Sequence, residues 1–210
     1  MLPSVAVKGI TIKYELSAAE FAENLFGFRP ANDDLASLVG ALDGATVNVS
    51  VRVKKGWLSL AVDDPTRFEV YETSVRRDAQ GGLFAYIHEV RAAVGQGGHG
   101  LGIQAFIRQV AGAKALGITR FELWAAGEHF DRSSNGYYTW ARFGFDARLG
   151  TEEAASSPWP YLTTLNQLIQ LGGGWWWQRF GNAMRFDLAD DSAMMAVFRR
   201  YLNEKGIILE

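Results

Sequence analysis

Gly95-Gln96-Gly97-Gly98-His99-Gly100-Leu101-Gly102 places five glycines in eight residues, and the rest of the chain is read outward from it. Upstream, Leu83 to Val90 reads as a strand. Downstream, Ile103, Phe106, Ile107 and Val110 recur at helical spacing, which predicts a helix from Leu101 to Leu116 with Gly117 just past its end. Ile118 to Ala125 reads as the next strand. Strand, helix and strand in this order form a crossover, so the two strands are expected to run parallel. Glycine lets the backbone approach an anion with no Cβ in the way, and a helix start offers unpaired amides with partial positive charge. A phosphate or diphosphate suits that chemistry. The competing explanation is a loop that turns tightly for packing reasons alone.

Before this segment the sequence predicts a strand from Val5 to Tyr14 and a helix opened by a capping box, Ser17 with Glu20, carrying Ala18, Phe21, Ala22 and Leu25. A second short helix is expected from Asp33-Asp34 to Gly44, burying Leu35, Leu38, Val39 and Leu42. Period two then takes over. Val47, Val49, Val51 and Val53 alternate with Asn48, Ser50, Arg52 and Lys54, and Leu58, Leu60 and Val62 alternate again after a turn at Lys55-Gly56. Asp63-Asp64-Pro65 ends that strand; another spans Arg67 to Arg76, and Gln80-Gly81-Gly82 turns into Leu83. Connections this short imply an antiparallel meander.

After the crossover, Asn135 to Phe143 is expected as an aromatic helix closed by Gly144-Phe145, followed by a linker from Gly150 to Ser157. Ser157-Pro158 has the form of a helix start, with Leu162, Leu165, Leu168 and Ile169 on its buried side. Trp175-Trp176-Trp177 and Met184 to Leu188 read as a hairpin or a pair of short strands, and a last helix opens near Asp190-Asp191-Ser192. The fold class that follows is α/β of the α+β kind: a mixed, mostly antiparallel central sheet flanked by helices. A domain over 1–150 carries it, and 151–210 forms a helical, Trp-rich extension.

Composition bounds the function. In 210 residues, 48% hydrophobic content supplies enough apolar surface for a core, so disorder is excluded as the main state. The net charge of −2 provides no broad positive field to hold nucleic acid, which argues against it as a partner. Cysteine is absent, which removes disulfides, thiolate metal sites and cysteine nucleophiles. No secretory leader and no run of about 20 apolar residues is visible, so a soluble cytoplasmic protein without a membrane partner is expected. His129 with Glu128 and Asp131 lies in a polar loop and is read as solvated, so no metal is assigned.

Three phosphate-loop patterns compete for the glycines. A Walker loop needs Lys and Ser or Thr where Leu101 and Gly102 stand. A dinucleotide fingerprint can be drawn on Gly95, Gly97 and Gly100 with Glu122 or Glu128 as the distant acid, but it belongs to the first strand of a parallel sheet. The third pattern fits. Gly97 to Gly102, preceded by a strand and followed by helix, strand, aromatic helix and Phe143-Gly144-Phe145, resembles the GNAT acyltransferase family over roughly Leu83 to Phe145. Gly100 and Gly102 match the two small positions of that family's Arg/Gln-x-x-Gly-x-Gly/Ala loop.

The resemblance implies an acyl-CoA N-acyltransferase-like fold and transfer of an acetyl or other acyl group from acyl-CoA to an amine. Acetyl-CoA is then a co-substrate. Its diphosphate would lie on the amides around Gly97, Gly98, His99, Gly100, Leu101 and Gly102, and its pantetheine arm along Val90 to Ala92 in a gap between the parallel strands. With no cysteine to carry an acyl-enzyme, the amine attacks directly. Glu89, where the family often has a glutamate, is the candidate base; alternation places it on the face of Ala85 and Ile87, opposite His88. The tyrosine that the family uses to protonate the leaving thiolate is replaced by Trp140, and Tyr137, three residues earlier on the same helix face, is the substitute. Gly97 also replaces the loop's Arg or Gln. These two departures motivate a rival reading: a decayed binding or interaction module on the same fold, using the Trp-rich C-terminal surface formed by Trp159, Trp175, Trp176 and Trp177. The acceptor, a small molecule or a protein amine, and any homo-oligomer stay open.

Overall fold

A computed structural model of the chain describes residues 8–125, 136–177 and 182–207. The chain is α+β, with parallel and antiparallel strand pairs, and it divides into two compact units, one up to Arg120 and one from Phe121.

The first unit runs β1 (Thr11–Tyr14), α1 (Ala18–Phe26), α2 (Asn32–Leu38), β2 (Thr46–Arg52), β3 (Trp57–Asp63), β4 (Phe68–Arg77), β5 (Leu83–Ala92) and α3 (Leu101–Ala115). Strands β1 to β5 lie in sequence order. The pair β1–β2 is parallel across the α1–α2 connection, and β2 to β5 form the expected antiparallel meander. One sheet face is apolar: Val47, Val49, Leu58, Leu60, Val75, Ala85 and Ile87 are buried there. Helix α3 belongs to this face, since Gln109 donates from Nε2 to Thr73 Oγ1 at 3.2 Å. The other face of the same strands carries Ser59, Glu72, Ser74, Arg76, Tyr86 and His88, so the meander's alternation separates an apolar layer from a polar one.

Three local expectations change in this unit. The early strand begins at Thr11 and does not include Lys8 to Ile10, while Val5 to Val7 lie outside the described residues. Ser17 does not build a capping box: it takes φ 65°, and its side chain makes no capping bond. An N-cap hydroxyl reaches the first amides from extended backbone, and the left-handed turn at Ser17 removes that alignment. Val53 leaves the strand for a 3-10 turn, Val53–Lys55, and is 77% exposed.

The second unit contains β6 (Arg120–Ala125) from Phe121 onward, α4 (Gly136–Arg142), α5 (Thr151–Ser156), α6 (Leu165–Gln170), α7 (Gly174–Trp177), β7 (Asn182–Asp187) and α8 (Ala193–Glu204). The expected linker after Gly150 is helix α5. Ser157 does not start the next helix; Thr164 does, through a complete capping box with Gln167. The tryptophan run is a helical turn and not a strand, with Trp176 and Trp177 buried. A ring cluster of Trp140, Phe143, Phe145, Phe186, Phe198 and Tyr201 fills this unit. Among the described residues, no helix is long and apolar enough to cross a membrane.

Candidate functional site: a bare backbone loop and a bulged strand

Strand β5 delivers the chain into the glycine loop, and the loop's entrance is tied down. Ala93 N donates to Arg67 O and Gln96 N to Ala93 O, each at 2.9 Å. From there the backbone is free. The N–H groups of Gly97 through Ile103 meet no acceptor among the described residues, and the first bond of α3 is Gln104 N to Gly100 O at 3.1 Å. Gly95, Gly98 and Gly100 take φ of 82°, 82° and 77°, a region that costs an L-residue about 1 kcal/mol or more. Packing does not demand these glycines. A Cβ at Gly95, Gly97, Gly98 or Gly102 would meet nothing within 4 Å, and at Gly100 only Ile103 Cγ2 at 3.8 Å. Their effect is to leave a run of amides uncovered at the positive end of a 15-residue helix.

The nearby arginines are engaged elsewhere. Arg67 donates to Asp43 O at 2.8 Å and pairs with Asp64 at 3.0 Å. Arg108 on α3 donates to Ala41 O at 2.8 Å and pairs with Asp43 at 2.9 Å. The positive character of the loop is therefore that of its backbone. His99 is exposed within it, and Leu101 is half-buried at the helix start. Val90 and Ala92 on β5 stand opposite Tyr71 and Phe68 of β4.

Glu89 is not on the face that simple alternation assigns. Thr73 pairs with Ile87 and Glu72 with Glu89, so His88 is an extra residue, a β-bulge. The insertion returns Glu89 to the polar face, opposite Glu72, in place of the face of Ala85 and Ile87. Its exposed carboxylate pairs with Arg91, which also reaches Glu69 at 3.5 Å. On that polar face Ser59 donates to Glu72 at 2.8 Å, and Ser74 Oγ lies 2.9 Å from His88 Nε2. The polar members of β4 at every second position, Glu72, Ser74 and Arg76, were the available signal for this cluster, which the sequence reading passed over.

In the second unit, Trp140 is half-buried and packs against Phe143 at 5.8 Å and Phe145 at 5.1 Å. The backbone of Tyr137 belongs to α4; its side chain lies outside the described residues, as do Glu128, His129 and Asp131 and the side chain of Trp175. Gly144 has a packing reason of its own: at φ 99°, a Cβ there would collide with Met194 O and sit 3.2 Å from Phe186. A shallow pocket bounded by Asp146, Arg148, Thr163, Thr164 and Arg185 also belongs to this unit. Burial pushes the Asp146 carboxyl up, against the lowering effect of amides donated by Asn166 and Ala147.

No protein-family model matches the chain, and no curated protein matches it in sequence.

Proposed function

We propose that the protein is an acyltransferase of the GNAT kind, with an acyl-CoA N-acyltransferase-like fold, moving an acetyl or other acyl group from acyl-CoA to an amine. The observation that carries this reading is the run of unpaired amides from Gly97 to Ile103 at the start of α3, with glycines that packing does not require. A diphosphate satisfies such amides without any arginine. The antiparallel meander before the loop agrees with the reading.

The chemistry needs little from the protein beyond alignment. The amine nitrogen attacks the thioester carbonyl carbon, the C–N bond forms, the C–S bond breaks, and CoA leaves as a thiolate. Glu89 is the base that takes the amine proton, and Tyr137 supplies a proton to the leaving sulfur. Most of the rate comes from holding two substrates together.

Calorimetric and thermal-shift titration with acetyl-CoA tests the proposal. Binding stabilises the fold by about 2.7 kcal/mol at a hundredfold excess over Kd. No heat and no shift at millimolar acetyl-CoA would remove the reading. The rival reading, a module without turnover, draws support from Trp140, which stands where the resemblance implies a tyrosine and packs on Phe143 and Phe145. Its partner surface loses support from Trp176 and Trp177, which are buried. Binding of acetyl-CoA with no CoA released across a panel of amines would favour that rival.

A further inference from the structure

His88 is the one residue of β5 that the ladder leaves without an opposite number, and its ring is held in an unusual way. Nε2 lies 2.9 Å from Ser74 Oγ and 3.3 Å from Arg76 Nη2, and Arg76 Nε donates to Ser74 Oγ at 3.1 Å. The Arg76 guanidinium is itself fixed over the rings of Trp57 at 3.3 Å and Tyr86 at 4.3 Å. Arginine only donates. Ser74 Oγ therefore receives one Arg76 N–H and turns its own proton toward Nε2, which accepts from both neighbours. The ring proton must sit on Nδ1. That nitrogen has no partner among the described residues, and His88 is exposed.

We propose that His88 presents this Nδ1–H as a hydrogen-bond donor to the carbonyl oxygen of the transferred acyl group, in the tautomer that Ser74 and Arg76 impose. The inference rests on the acyl-transfer reading. At a strand rise of roughly 3.3 Å per residue, His88 lies about 13 Å back along β5 from Ala92. That is the direction in which a pantetheine arm aligned on Val90 to Ala92 carries the thioester away from the loop.

The charge setting agrees with a neutral donor. Partial burial lowers the imidazole's affinity for a proton, Arg76, Lys55 and Arg52 lower it further, and Glu72 opposes them without prevailing. Glu89, next in sequence, is engaged by Arg91. As the amine attacks, negative charge grows on the carbonyl oxygen, and a fixed N–H donor stabilises it without giving up its proton. His88 keeps its Nδ1 proton throughout; the amine's proton goes to the Glu89 carboxylate, as in the acyl-transfer reading.

Long-range ¹H–¹⁵N spectra of the full chain decide the matter. The expected result is the Nδ1–H tautomer at His88 between about pH 6 and 8, mixing with the other tautomer in Ser74→Ala. Acetyl-CoA should move the His88 Nδ1 resonance, whereas CoA should move the amides of 98–102 and leave Nδ1 in place. In His88→Gln, the wild-type preference for acetyl-CoA over CoA should fall several-fold. An Nε2–H tautomer in the wild type overturns the proposal. So do loop amides that respond to both ligands while Nδ1 responds to neither, which leaves the acyl-CoA reading standing. Silence from the loop and from His88 at millimolar acetyl-CoA overturns both.

Discussion

Glu72 on β4 stands directly opposite Glu89 on β5, two carboxylates in register on one sheet face. Like charges so placed destabilise a ladder. The arrangement persists because each has its own partner: Ser59 and Arg52 for Glu72, at 2.8 and 3.7 Å, and Arg91 for Glu89.

Glu89→Gln separates structure from chemistry at this position. The ion pair with Arg91 is exposed, and the substitution also removes the repulsion with Glu72, so unfolding stability should stay within roughly 0.5 kcal/mol of wild type. With an acceptor found, CoA release should slow at least tenfold, and Tyr137→Phe should slow it as well. Unchanged turnover in both variants would withdraw these two residues from the mechanism.

Gly102→Asp tests the loop by charge. The position is not left-handed, a side chain there meets no neighbour, and an acid in the first turn of α3 favours the helix. Thermal stability should be equal or higher, while affinity for acetyl-CoA falls by more than tenfold through repulsion of the diphosphate. Isothermal titration beside a melting curve reads both. Unaltered affinity would place the anion elsewhere.

Gly112→Ala tests the packing of α3 on α2. A Cβ there would collide with Leu38 N and sit 2.8 Å from Asp34 O and from Ser37 C, all backbone of α2. Backbone cannot swing aside as a side-chain tip does, so the loss should be about 1–3 kcal/mol in urea unfolding. A variant as stable as wild type would mean that α2 and α3 have room to separate.

Asp146→Asn and Asp78→Asn should move stability in opposite directions. Burial holds the Asp146 carboxyl above its ordinary range, so the folded state binds the extra proton and stability falls as pH rises from about 3.8 through the folded value. An amide in place of the Asp146 carboxyl removes that fall, and the variant should be as stable as wild type or more so at pH 7. Asp78 is the reverse case. Arg120, 2.7 Å away, and the amides of Gly82 and Gln80 hold its carboxyl below the ordinary range. Its contribution is present above about pH 3.8 and lost as pH falls through the folded value. Asp78→Asn should lower Tm at neutral pH and lose the difference in acid. Thermal melts at several pH values check both signs.

Much of the first unit was legible because its signals are local. Val47, Val49, Leu58 and Leu60 alternate with polar residues, and that alternation becomes the buried face of the sheet. Ile103, Phe106 and Val110 become the buried stripe of α3, although Ile107 is only half-buried. The second unit was read less well. Three consecutive tryptophans carry no period, and nothing in their order distinguishes a strand from the helical turn that buries Trp176 and Trp177. The linker after Gly150 and the cap at Ser157 failed similarly, since Thr164 with Gln167 offered the stronger local start.

The amino-acid order alone determined that a glycine-rich turn joins a strand to an amphipathic helix, because periodicity and the lack of a Cβ act over a few residues. Tertiary structure decided which face Glu89 occupies, that His88 meets Ser74 and Arg76, and that Gly112 and Gly144 serve close approach. A bulge changes the side of every residue after it, and whether a strand bulges depends on its partner's register. That register is set by packing between segments far apart in the chain, which no local pattern records.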